Sequence, residues 1–167
     1  MNRDATPSDM VAERVRQVRT RRGLTADELA TRCQELGSKL TTQSIYKIET
    51  ARESTVRPPR QVTVDELLTL AAALDAAPVH LLVPPDDYDT PYRVTPTVTE
   101  PNHRVRGWIR GLFPLRKFPR VGDQRDFYTE VPPDELQAML EGQCLCCGGR
   151  LPREIKIGSA HEHPQAG

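Results

Sequence analysis

The sequence predicts an all-α domain followed by a largely irregular C-terminal extension, and three observations carry that expectation. Apolar residues recur at three- and four-residue spacing in five short runs between positions 8 and 84. Threonine, serine or proline stands where these runs begin, and glycine or proline where several of them end. Beyond Pro84 the helical period lapses and prolines accumulate. The 167 residues are 37% hydrophobic and 5% aromatic, which leaves room for one ordinary domain and a tail but not for two full cores. The expected division is a helical domain over 8–84, a Pro-rich linker over 85–103, and an extension over 104–167 with short helices and a cysteine cluster.

Taken in order, Ser8 and Asp9 offer a cap to a first helix in which Val11, Val15 and Val18 share a face, with Arg14, Arg16, Arg19, Arg21 and Arg22 elsewhere around it. Gly23 ends it. Thr25 stands three residues before Glu28, a capping box that starts a second helix at Ala26, with Leu29, Ala30 and Cys33 on its apolar side. Thr41 caps a third helix, TQSIYKIETA, in which Ile45 and Ile48 point inward and Thr42, Gln43, Tyr46 and Lys47 are left outside. Thr63 opens a fourth, whose Leu67, Leu68, Leu70, Ala71 and Leu74 form a broad apolar face, and Pro78 opens a stub fifth ended by Pro84 and Pro85. The stretch from Pro84 to Pro101, with alternating threonine and valine and no helical period, reads as a linker or extended arm. HRVRGWIRGLF then predicts a short helix weakened by Gly107 and Gly111, and PDELQAMLEG another stopped by Gly142.

Formal net charge is zero, yet the charge is distributed in alternating blocks: +4 over 1–60, −6 over 61–100, +6 over 101–125 and −4 over 126–167. A basic, folded first block suits attraction to phosphates. No run approaches the roughly 20 apolar residues that span a bilayer, and MNRDATPSDM lacks the order of a secretory signal, so a soluble, cytoplasmic chain without a membrane partner is expected. Nothing in the sequence supplies a nucleotide loop, a paired-carboxylate site or a nucleophile with an identifiable base, and no enzymatic activity is expected.

Residues 11 to 83, through LTADELA, TTQSIYKIE and VTVDELLTLAAALDAAPVHLL, resemble the helix-turn-helix domain of phage-repressor-like (Xre-type) transcriptional regulators. The resemblance implies a five-helix lambda-repressor-like fold, a double-stranded DNA partner and a homodimer, because symmetric half-sites one helical turn apart suit that fold. It also implies that Thr42, Gln43, Tyr46 and Lys47 read bases. Their chemistry agrees: Gln43 can pair with adenine through both amide groups, Lys47 can donate to guanine or phosphate, and the Thr42 methyl can meet a thymine methyl. Ser44 is placed to bond phosphate, and Arg52, Arg57 and Arg60 to hold the duplex in register. Ile45 and Ile48 should lock the helix against Leu29 and Leu70. Two departures stand out: TRCQELGSKL lengthens the turn between helices two and three, and Thr50 and Ala51 replace the glycine that often follows the Ile-Glu pair.

Cys144 and Cys147 have C-x-x-C spacing followed by two glycines, a knuckle that can aim two thiolates at one zinc. His161 and His163 complete a candidate ligand set, with Cys146 a further possibility, although H-x-H is an uncommon second pair. A thiol sensor and a tail with incidental cysteines are the competing readings; no cofactor is required by the main one. Cys33 reads as a small core side chain. Trp108, Ile109 and Leu112 read as a packing surface, with nearby Arg104, Arg106, Arg110, Arg116, Lys117 and Arg120 as possible further phosphate contacts. The alternatives to DNA-binding regulation are a protein-interaction module such as an antitoxin or anti-activator, and a metal- or redox-sensing regulator acting through the cysteine cluster.

Overall fold

A computed structural model describes residues 5–50, 60–85, 89–115, 127–135 and 137, and the chain falls into two units, 1–115 and 116–167. The first unit is mostly helical, with one two-stranded sheet near its end.

Helix α1 (Pro7–Arg21) begins at Thr6, whose hydroxyl accepts from the Asp9 backbone N–H while the Asp9 carboxylate accepts from the Thr6 N–H at 2.8 Å. Asp9 is thus the return arm of the capping box, and the cap lies two residues before the expected Ser8. Ser8 instead accepts from the Val62 backbone N–H at 3.1 Å, pinning the chain just before Thr63. Gly23, at φ +68°, turns the chain out of α1 in the left-handed conformation that a glycine adopts without penalty. Helix α2 (Ala26–Glu35) carries the expected Thr25/Glu28 box, and the two hydrogen bonds from Thr25, backbone first, hold the Glu28 carboxyl below its ordinary range. Helix α3 (Thr42–Glu49) starts at Thr41, α4 (Val64–Ala73) at Thr63 with a third capping box to Glu66, and α5 (Pro78–Leu82) at a proline.

Their inner faces meet in one cluster. Val15, Leu29, Cys33, Ile45, Ile48, Leu70, Leu74 and Leu81 are fully buried there. Burial of each of the large aliphatic side chains contributes about 2 kcal/mol relative to exposure. Burial also raises the Cys33 thiol above its usual pKa, which suppresses the reactive thiolate. Leu68, expected in this face, is 51% exposed, because α4 turns Leu70, Ala71 and Leu74 inward and leaves position 68 on the opposite side.

The segment expected as a Pro-rich linker folds. Strands β1 (Pro91–Thr95) and β2 (Val98–Pro101) pair antiparallel, with Tyr92 opposite Glu100 and an irregularity between Arg93 and Thr95. The prolines occupy places a hairpin tolerates: Pro91 and Pro101 at strand ends and Pro96 in the turn. Helix α6 (Asn102–Ile109) follows directly, and Val83, Tyr92 and Val105 form a second buried cluster, flanked by Met10, Trp108 and Leu115. The Tyr92 hydroxyl donates to the Leu82 carbonyl at 2.9 Å, and burial pushes its pKa up to about 12. Gly107 leaves room for Phe113: a Cβ there would overlap the tip of the Phe113 ring that packs on the helix. Gly111, at φ +72°, ends α6.

In the second unit, Phe127 and Tyr128 meet edge to face at 5.2 Å within a helical turn, and a further turn begins at Pro133.

Candidate nucleic-acid interface

Helices α2 and α3 are joined by a turn that runs from Leu36 to Thr41. Gly37, at φ +83°, reverses the chain after α2, and Leu40, 5% exposed, anchors the connection just before the α3 cap. The Gln34 side-chain amide donates to the Leu40 carbonyl at 3.3 Å and helps fix the long turn.

Along α3 the period of 3.6 separates two faces. Ile45 and Ile48 have no exposed surface and lie in the same cluster as Leu29 and Leu70. Gln43, Tyr46 and Lys47 lie exposed, Tyr46 by 53%. The helix is anchored at both ends. At its start Thr41 accepts from the Ser44 N–H, and the two hydroxyls lie 3.1 Å apart. At its end Glu49, 7% exposed, makes a two-pronged ion pair with Arg19 of α1, both hydrogen bonds at 2.7 Å. That hydrogen bonding outweighs partial burial and raises the Arg19 pKa, so the guanidinium stays charged. Arg19 also donates to the Leu24 carbonyl at 2.8 Å, tying the chain between α1 and α2 to the same point.

Several of the expected contact residues also bond within the domain. Ser44 is half-buried in the cap, and its carbonyl accepts from Arg60 at 3.3 Å. Arg60 also ion-pairs with Glu66, so its guanidinium joins α3 to the capping glutamate of α4 and serves the fold. Thr42 is half-buried, with its hydroxyl donating to Asp27 of α2 at 2.6 Å. Arg52 and Arg57 lie outside the described residues, as do Cys144, Cys146, Cys147, His161 and His163. Among the described residues no group of three or more His, Cys, Asp or Glu side chains is disposed to hold a metal ion. Arg104 donates to the Leu115 carbonyl at 2.7 Å and Arg106 to the Val83 carbonyl at 2.8 Å, internal contacts that close the second cluster. Among the described residues, no helix is long and apolar enough to cross a membrane.

Two participants escaped the sequence reading. Glu49 was visible only as part of an Ile-Glu pair, and its partner lies 30 residues earlier. Asp27 lies in the capping segment of α2, and its partner Thr42 lies 15 residues later. Comparison of the chain with protein-family models, curated proteins and solved structures finds no match.

Proposed function

We propose that this chain is a sequence-specific, duplex-DNA-binding transcriptional regulator of the helix-turn-helix type, acting as a homodimer and without catalysis. The observation that supports the reading is the construction of α3: a polar edge of Gln43, Tyr46 and Lys47, backed by two fully buried isoleucines and clamped by a buried ion pair. A short helix held rigidly with amide and ammonium groups outward suits the major groove of B-form DNA, which admits one α-helix. In this reading phosphate attraction supplies affinity and the α3 edge supplies choice of sequence. Lys47 is the one cation of α3, so most phosphate contacts must come from outside that helix.

Selection from a random duplex pool tests the proposal, followed by titration of the selected site with salt. The expected result is a discrete sequence whose binding weakens steadily as salt rises. Failure to enrich any sequence, or binding indifferent to salt, would remove the reading. A protein-interaction role is the second reading, favoured by Val64 and Leu68, 71% and 51% exposed and one turn apart on α4. It predicts that Val64→Ser and Leu68→Ser abolish partner capture while Gln43→Ala does not.

A further inference from the structure

The first turns of α2 and α3 are joined by a 2.6 Å hydrogen bond from Thr42 Oγ1 to Asp27 Oδ1. Asp27 is the second residue of α2 and is exposed; Thr42 is the first residue of α3. A carboxylate therefore stands beside the residue that opens the proposed reading edge. A threonine hydroxyl has one proton and two lone pairs. With that proton held in a charge-assisted bond to a carboxylate, the oxygen has only lone pairs to offer another partner, and Asp27 itself offers only acceptors. In the major groove adenine N6 and cytosine N4 donate, whereas guanine O6 and thymine O4 accept.

We infer that Asp27 is a specificity-determining positioning residue: by fixing the Thr42 hydroxyl as an acceptor, it makes the leading edge of α3 select an amino-bearing base, adenine or cytosine, and reject the keto-bearing bases at that position. The inference rests on the proposed duplex reading. It carries a second consequence, because a carboxylate near the phosphates opposes binding to every sequence alike. Asp27 thus lowers general affinity while sharpening choice, the use of an unfavourable element for discrimination.

The test uses the full chain and the duplex it selects from a random pool, resynthesised with each base pair in turn at every position. Binding is measured for the native chain, Asp27→Ala, Thr42→Val and Gln43→Ala, with circular dichroism to establish that each is folded. The native chain should show one position where an amino-bearing base is favoured about fivefold or more, the low end for a good base contact. Asp27→Ala and Thr42→Val should both flatten the preference there and leave intact the separate position that Gln43→Ala affects. Thr42→Val keeps the side-chain shape and leaves the first turn of α2 untouched, so it carries the test even if Asp27→Ala does not fold. Asp27→Ala should in addition bind all duplexes more tightly, a gain that shrinks as salt rises. Uniform changes in affinity from both variants, with preferences intact at every position, overturn the inference and leave the reading of α3 standing. If the native chain selects no sequence, both fall.

Discussion

Arg19 and Glu49 face each other across 30 residues of sequence and join α1 to α3 through two hydrogen bonds of 2.7 Å. The side chains are 14% and 4% exposed, so water does little to screen the pair. Glu49 is the last residue of the helix proposed to read DNA, and its neighbour Ile48 is fully buried. The pair therefore fixes the far end of α3 just as the Thr41 cap fixes its start. A fork of guanidinium on carboxylate resists rotation better than a single contact, which is what a helix with only two turns needs.

Removing one partner should be much worse than removing both. Glu49→Ala leaves the Arg19 charge uncompensated in a largely dry site and is expected to cost about 3 kcal/mol, the lower end for a broken buried pair. Replacing both together by apolar residues, Arg19→Met with Glu49→Leu, should recover much of that loss. Urea unfolding of the native chain, Arg19→Met, Glu49→Leu and the double variant, a double-mutant cycle, measures the coupling. A Glu49→Ala variant within about 0.5 kcal/mol of native stability would mean the pair holds nothing in place.

The contrast between what was legible and what was not follows sequence distance. The Thr25/Glu28 box and the Thr63 and Thr41 caps were readable because all their partners lie within one turn. The inward Ile45 and Ile48 followed from periodicity alone. Arg19 with Glu49, and Arg60 with Glu66 and the Ser44 carbonyl, depend on how helices pack, and side chains of these types read equally well as solvated surface. The hairpin was missed for a different reason. Its alternation of tyrosine, valine and threonine is a strand signal, but the prolines around it also fit an extended linker, and only the burial of Tyr92 at 5% exposure decides between them.

Gln43 and Lys47 should separate choice from attraction. Gln43→Ala is expected to cost about 1 to 3 kcal/mol at one base position and little at the others. Lys47→Ala should weaken binding to all sequences more evenly and reduce the slope of log affinity against log salt by about 1 if it meets a phosphate. Both are exposed residues, so stability should be nearly unchanged. Equal, uniform losses from the two would place base reading on another surface.

A side chain at Gly107 should strain its packing against Phe113. An alanine Cβ would overlap the tip of the Phe113 ring, so Gly107→Ala must push that ring aside despite alanine's better helix propensity. A net destabilisation of about 1 to 3 kcal/mol is expected, the range for overpacking. Shortening Phe113 in the same chain, Gly107→Ala with Phe113→Leu, should relieve part of it. If Gly107→Ala instead raises the unfolding midpoint, Phe113 does not pack there in solution.

Stability should also fall with mild acid through His80. Its Nε2 lies 3.1 Å from Arg110 Nη2, and since a guanidinium only donates, that nitrogen is the acceptor of a neutral ring. Burial first, then the positive charges of Arg110 at the end of α6, Arg106 within it and Arg14 on α1, push the His80 pKa below its ordinary 6.5. The unfolded chain takes up a proton near that ordinary value while the folded chain does not. The contribution is therefore present above it, is lost as pH falls below it, and levels off once the folded group also protonates. Glu28, lowered from 4.5, acts at more acid pH and does not share this window. Urea unfolding between about pH 7.5 and pH 5.5 should show declining stability in the native chain and a flatter profile in His80→Gln, whose side-chain oxygen can still accept from Arg110. Parallel profiles for the two proteins would show that His80 is not held neutral by these arginines.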